Sequence, residues 1–564
     1  MSRHVDLPLT SVQEAERYRR SGSWPDVTLF ERIEASARKH PTRTALIDAH
    51  GSRTYAELIA DVTALAHGLL EAGVRAGDVV SVQLPNCADQ PITHLALNRI
   101  GALAMPIHDS WHGSELAHLL DLSGAVMSIV PASFRGVDYP AIYAGLRGSL
   151  PRLREVYAIG ESHPKAKKYR DLFLRGRDEA TLAPHRPDPD APGALKLSSG
   201  TTSLPKVSVY SSNDLQALLG PFIRRLALSE NDIGAALAPA GTGSAGYVYP
   251  VIAPLMVGAS CAMLEKWGDP EAAIEFMRSH RCTFATAVPA QLTQMLPVLQ
   301  GQGSSALGLR AFTVAGSPLP EDVGREFERI VGAQIISIYG ATDGSVATCN
   351  AIGDDQTRRL TTVGTAQEDV DLRLAGPTGE WLGPGEEGEI QWRTAAKSYG
   401  YLNDEAATAA AFTADRFYRS GDLGRIDANG YLRVTGRIKD VIIRGGRNLS
   451  PRLIEEQAQK HPCVLDVAVA GYKDAVLGER ACAFVVARPG ASLDLTGLVA
   501  FLRDQGMPVW QLPERLELMD ELPRSAGGKI MKAQLREYVD ARVAAEATLS
   551  SGEPQRAAAE PSHQ

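Results

Sequence analysis

The stretch LSSGTTSLPK, residues 197–206, gathers Ser and Thr hydroxyls and a single glycine ahead of a proline and Lys206. Gly200 permits close backbone approach, the hydroxyls and amides donate to anionic oxygen, and the lysine adds a point charge. Phosphate is the guest that such a loop suits. It is not the G-x-x-x-x-G-K-[ST] loop, because Lys206 lies six residues after the glycine and no Ser or Thr directly follows it. Far along the chain, SGDLG offers Asp422 and GGKIMK offers Lys529. Taken singly, these read equally well as a turn residue and a solvated loop lysine.

These residues must be held by something. From about residue 28 to 160, helical patterns such as TLFERIEASARKH and YAELIADVTALAHGLLEAG alternate with β-rich runs such as DVVSVQLPN and AVMSIVPA. That alternation predicts a parallel sheet with crossover helices, and it resumes in TFATAVPAQLTQML, LRAFTVAGSPLP and QIISIYG. LSSGTTSLPK falls in a loop between two short extended segments. Beyond residue 365, DLRLAG, GEIQWR and YLRVTG are short strands with Gly-rich turns, which predicts a small antiparallel sheet or distorted β-barrel. At GRIKDVIIRGGRNLSP, residues 436–451, glycines and charges crowd together, marking a hinge before a compact tail domain. The expected fold is therefore α/β: a large N-terminal domain over 1–436, a small mobile α+β domain over 437–545, and a disordered Ala-, Ser- and Pro-rich tail over 546–564.

A chain of 564 residues with 44% hydrophobic content fills more than one core. Its net charge of −8, with basic residues scattered, argues against a nucleic-acid or anionic-membrane surface and for a small-molecule substrate. Cys87, Cys261, Cys282, Cys349, Cys463 and Cys482 form no C-x-x-C pair, so they read as buried thiols of a reducing compartment. MSRHVDLPLTSVQEAERYRR has no apolar core of signal-peptide length and no later segment has the length of a membrane span, so a cytoplasmic protein is expected.

From residue 28 to 540 the chain resembles the adenylate-forming superfamily of acyl-CoA synthetases, aryl-acid ligases, luciferases and peptide-synthetase adenylation domains. LSSGTTSLPK is similar to that family's phosphate loop, IYGATDG (338–344) to its Y-G-x-T-E, and FYRSGDLGRID (417–427) to its Y-R-T-G-D. GRIKDVIIRGGRNLSP is similar to its hinge and LPRSAGGKIMK (522–532) to its closing lysine motif. The resemblance implies ATP and Mg²⁺ as cofactors, a carboxylic acid as substrate, and transfer to the thiol of CoA or of a carrier-protein phosphopantetheine. It implies that Ser198, Ser199, Gly200, Thr201, Thr202 and Lys206 hold the β and γ phosphates. Thr342 would touch the α-phosphate, Tyr339 would stack on adenine, and Gly316 and Ser317 would line the nucleotide site. Asp422, supported by Arg437, would hold the ribose diol, and Asp343 would serve the metal. Lys529 would bridge carboxylate and phosphate in the first step, and Lys439 would be the pivot about which the small domain turns for the second. Gly445 and Gly446 lie on the loop that would then face the site. No carrier segment of the G-x-D-S type follows the hinge domain, so a carrier is expected as a separate chain.

Three departures bear on the chemistry. Asp343 stands where the family usually has glutamate, one methylene longer, which leaves contact with Mg²⁺ through water open. Ser211 and Ser212 stand where Thr-His is common. APAGTGSAGYVYP, residues 238–250, replaces an aromatic or histidine gate with Thr242 and Gly243. Gly243 also falls where amino-acid-activating relatives carry aspartate, which disfavours an α-amino acid. A pocket of Gly243, Ala245, Gly246, Ala315, Gly316 and Gly340 would be roomy, or would bring backbone close to a compact guest. An atypical acid such as nitrite is one alternative; a nucleotide-binding homologue without turnover is another, against which Lys206 and Lys529 both speak. A dinucleotide-dependent dehydrogenase is disfavoured, because no G-x-G-x-x-G follows an early strand.

Overall fold

Runs such as Val79–Val82 and Phe284–Ala287 are buried along their whole length, so both faces of their sheets must be covered. In the computed structural model, which describes residues 10–198, 205–241, 243–302, 307–524 and 529–551, they are interior strands of two largely parallel sheets. One sheet has seven strands in the order Lys167–Lys168, Glu155–Ile159, Met127–Pro131, Val79–Val82, Leu103–Pro106, Pro192–Leu197, Val207–Ser211, parallel except for the last pair. The other has nine. Its centre is parallel and includes Ile233–Ala236, Phe284–Ala287, Ala311–Ala315 and Gln334–Ala341, with antiparallel strands at both edges.

The helices begin where their sequences provide caps. Thr28 with Glu31 opens Leu29–Lys39, and Thr54 with Glu57 opens Tyr55–Glu71, each a reciprocal capping box worth about 1 kcal/mol. Both turn apolar faces into one core that also contains Val80 and Ala104 of the first sheet and Ala236, Cys261 and Phe284 of the second. Each large apolar side chain buried there stabilises the fold by roughly 1.5–3 kcal/mol before the entropy of ordering is subtracted.

The expected antiparallel module is a four-stranded sheet, Val370–Ala375, Glu387–Thr394, Tyr418–Ile426 and Leu432–Arg437 in that order. Among the described residues its first and last strands are not paired to each other, so the module takes the antiparallel-sheet form of that expectation. Trp392 is 1% exposed at the centre of its core, against Leu374, Ile390 and Tyr418.

The chain divides into two compact units, Met1–Val434 and Thr435–Gln564, against the boundary expected at 436/437. The second unit pairs Val464–Asp474 with Gly478–Ala487 as a long antiparallel hairpin, with Arg515–Leu518 parallel to the latter and Pro451–Ala458, Leu495–Asp504 and Lys532–Ser551 as helices. Its last helix runs past residue 546, into the stretch expected to be disordered. All six cysteines are free, and all but Cys463 are buried. Among the described residues, no helix is long and apolar enough to cross a membrane.

Candidate active site

Loops leaving the carboxyl ends of parallel strands are where α/β sheets place their ligands. Strand Gln334–Ala341 ends in the turn Thr342–Gly344, and strand Ala311–Ala315 ends at Gly316 and Ser317, both exposed. Backbone meets backbone closely here: a Cβ on Gly340 would lie 2.3 Å from the carbonyl oxygen of Ser345. Ser345 itself takes φ +63°, in the left-handed region that a side chain disfavours.

Three side chains distant from it in sequence hold the turn. Tyr210 donates its hydroxyl to the carbonyl of Thr342 at 2.5 Å, Ser398 to that of Asp343 at 2.9 Å, and the Trp392 indole N–H to that of Gly344 at 2.7 Å. The Asp343 carboxylate is itself clasped. Tyr418 donates to one oxygen at 2.9 Å, and Tyr401 donates to the other. Burial raises both phenols above their ordinary range, and the neighbouring Asp343 charge adds to the shift, so they remain proton donors at any physiological pH. Neither tyrosine was singled out in the sequence; Tyr418 belongs to FYRSGDLGRID, whereas Tyr401 lies outside every quoted motif.

The expected phosphate loop is closed at its base by Ser198 and Lys206: Ser198 N–H donates to the Lys206 carbonyl at 2.9 Å, and Lys206 N–H to Ser198 Oγ at 3.0 Å. The Lys206 ammonium lies 4.6 Å from the centroid of the Tyr401 ring, so loop lysine and Asp343 share one phenol. Ser199, Gly200, Thr201 and Thr202 of that loop, and Thr242, lie outside the described residues. On the antiparallel sheet, Asp422 is 8% exposed and accepts a hydrogen bond from the Tyr339 hydroxyl at 2.8 Å. Tyr339 also meets the Trp392 ring edge-on, centroids 5.8 Å apart. The structure thus brings Lys206, Tyr339, Asp343 and Asp422 into one connected neighbourhood.

Other expected positions differ in character. Ser211 caps helix Ser212–Arg225 through a capping box with Asp214, and Ser212 accepts from Leu29 N–H at 3.2 Å and from Asn98 at 3.1 Å, so this pair is structural. Gly246 is packed, with an added Cβ only 3.0 Å from Ala238 and Pro239, whereas Gly316 opens to free space and Ala315 is half-buried. In the second unit, Arg437 ends strand Leu432–Arg437 and Lys439 is exposed on the turn Ile438–Asp440. Gly445 and Gly446 take φ +55° and +78°. Lys529 is half-buried, two residues before Met531, whose N–H donates to the Pro523 carbonyl at 2.8 Å.

Among the described residues, no three His, Cys, Asp or Glu side chains cluster as a metal cage. Asp343 offers a single carboxylate with hard oxygen donors around it, a set that fits Mg²⁺ brought in on substrate phosphates.

Residues 33–402 match the AMP-binding enzyme family and residues 453–529 its C-terminal domain. The chain belongs to this family of acid-activating ligases. It is 31% identical over 533 residues to a medium-chain fatty-acid–CoA ligase of Escherichia coli, covering 94% of each chain. It is 32% identical to a salicyl-AMP ligase of Mycobacterium tuberculosis, covering 92% of each. Among solved structures it resembles ATP-bound MatB of Rhodopseudomonas palustris, with a TM-score of 0.82 at 27% identity over 91% of this chain and 99% of that one. Adenylation followed by transfer to a thiol is the chemistry that fits this family, and the large N-terminal and smaller C-terminal parts match its structures.

Proposed function

We propose that this protein activates a small carboxylic acid with ATP. A carboxylate oxygen bonds to the α-phosphorus, the bond to the bridging oxygen breaks, and pyrophosphate leaves. A thiol then attacks the acyl carbon, forming a thioester and releasing AMP. The thiol is that of CoA or of a carrier-bound phosphopantetheine, as the names of relatives that make acyl-CoA and acyl-carrier products suggest.

The observation that carries this reading is the 2.8 Å hydrogen bond from Tyr339 to Asp422. It joins two motifs distant in sequence, and their expected guests, adenine and the ribose diol, are adjacent parts of one nucleotide. On this reading Tyr339 and Asp422 orient the nucleoside, Thr342 contacts the α-phosphate, and Lys206, with Ser198, Ser199, Thr201 and Thr202, holds the departing phosphates. Arg437 supports Asp422. Asp343 holds Mg²⁺, which when bound offsets negative charge on the phosphates. The clasp by Tyr401 and Tyr418 fixes that carboxylate before substrate arrives, so little reorganisation accompanies the reaction. Lys529 neutralises the acid and α-phosphate as they meet, and Lys439 is the pivot that withdraws it for thioester formation. Gly243, Gly246, Ala315 and Gly340 border the acid.

Purified protein with ATP, Mg²⁺ and a panel of aromatic and medium-chain acids tests this directly. Pyrophosphate release that depends on one acid supports the reading. ATP binding without release for any acid replaces it with the nucleotide-binding alternative.

A further inference from the structure

Strand Pro192–Leu197 carries a lysine into the protein interior. Lys196 is 5% exposed, and its ammonium lies 3.9 Å from the centroid of the Tyr210 ring. Among the described residues no carboxylate pairs with it and no hydrogen bond holds it. Burying an ammonium without a counter-charge is costly, and a fold keeps such a group when something else compensates it.

The space beside it indicates what that is. Lys196 borders a gap of about 10 Å³ together with His94, Pro106, Leu215, Gly243 and Tyr247, close to the room one water oxygen needs. His94 Nδ1 is engaged with the Tyr247 hydroxyl at 3.0 Å, while its Nε2 is buried and has no hydrogen-bond partner among the described residues. Burial, reinforced by the nearby Lys196 charge, lowers this imidazole to about 4, so it is neutral near pH 7. Gly243 leaves its side of the gap bare: at φ +66°, an added Cβ would lie 2.9 Å from Pro106 and 3.7 Å from the Lys196 stem.

The remaining charged groups around the ammonium do not neutralise it. Tyr210, on Val207–Ser211, offers its ring face. Asp214, on helix Ser212–Arg225, accepts from the Ser211 N–H and hydroxyl at 2.8 Å each and is committed to the helix cap.

Building on the proposed acid site, with Gly243 at its border, we infer that Lys196 is a specificity residue: its buried head receives a single acidic oxygen carried by the acid away from the reacting carboxylate. A phenolic hydroxyl has the required size and chemistry. An acid without that oxygen leaves the buried ammonium unpaired, and sites with unpaired buried polar groups discriminate strongly.

The test uses the full chain and Lys196→Met, with Lys196→Gln as a second variant that keeps a polar head. Dissociation constants for benzoate, the three monohydroxybenzoates and their methoxy counterparts are measured by titration calorimetry, and pyrophosphate release is followed with the same acids. One hydroxybenzoate should bind the wild type roughly 10- to 100-fold more tightly than benzoate and its methoxy counterpart, the range expected for a hydrogen bond to a charged group. In Lys196→Met that ratio should fall close to one, and Lys196→Gln should restore part of it. A merely structural role would weaken all the acids together and keep the ratio. No preference for any hydroxybenzoate, or a preference that both variants retain, overturns the inference while leaving acid adenylation standing wherever pyrophosphate is released. Lys196-dependent binding with no pyrophosphate from any acid overturns the adenylating reading instead.

Discussion

Tyr418 donates its hydroxyl to the carboxylate of Asp343 at 2.9 Å, tying the antiparallel sheet to the turn that ends the parallel strand Gln334–Ala341. Because Tyr401 donates to the other carboxylate oxygen, the clasp has redundancy. Asp343→Asn should lower pyrophosphate release roughly 10²-fold and raise the Mg²⁺ concentration for half-maximal rate. Tyr418→Phe removes one neutral donor and should cost only about 1 kcal/mol. A Mg²⁺ titration of both variants checks this, and an unchanged Mg²⁺ requirement in Asp343→Asn would remove Asp343 from the metal site.

Tyr339→Phe keeps the ring and deletes the hydroxyl that meets Asp422. We expect KM for ATP to rise about 2- to 10-fold with little change in kcat, and Asp422→Ala to raise it further because the diol ligand itself is lost. If Asp422→Ala leaves KM for ATP unaltered, ribose binding lies elsewhere.

Lys529→Ala separates the two steps. Acyl-adenylate formation should fall by roughly 10²-fold or more, whereas thioester formation from supplied acyl-adenylate should be largely kept. Equal loss of both would defeat the assignment of Lys529 to the first step alone.

Gly340→Ala would set a methyl group 2.3 Å from the Ser345 carbonyl, a backbone atom with no rotamer to yield. The expected loss is roughly 1–3 kcal/mol of stability, read from the shift in urea midpoint, accompanied by lower activity because Asp343 rides on the same turn.

Stability should report on Lys196 as well. Burial lowers this lysine to about 7 from an ordinary value near 10.5, with Asp214 opposing the shift. The penalty for folding around it is therefore absent above pH 10.5, grows as pH falls, and is complete below about pH 7. The Tm of Lys196→Met should exceed that of wild type, by a margin that widens from pH 10 to pH 7 and then levels off. Burial raises Asp214 to about 7, and because that carboxyl acts on Lys196, the difference between the two proteins reports the lysine together with its coupling to Asp214. A constant or negative margin would contradict the buried charge.

Much of the framework was legible in the chain. Apolar runs such as DVVSVQLPN announced interior parallel strands, because a strand covered on both faces needs no polar alternation. The texture change after residue 365 announced the second style of sheet, although closure into a barrel depends on end-strand pairing that no local pattern encodes. Tyr339, Asp343 and Asp422 were named from motifs, but Tyr401 was not, since its approach to Asp343 is a property of the folded path. Lys196 was missed for a related reason. DPDAPGALK reads as an Ala-, Pro- and Gly-rich linker, whereas its last residues belong to the buried strand Pro192–Leu197, where Lys196 lines a gap with Leu215 and Tyr247.

Strand Tyr418–Ile426 presents Tyr418 to Asp343 and Asp422 to Tyr339, so two contacts hang on a single strand whose pairing is irregular between them. A slip of that strand by one residue would displace both side chains at once. On the proposed reading, nucleoside recognition and metal holding are thus geared together through one strand, whereas Lys196 lies on a different sheet and reaches the turn through the Tyr210 ring.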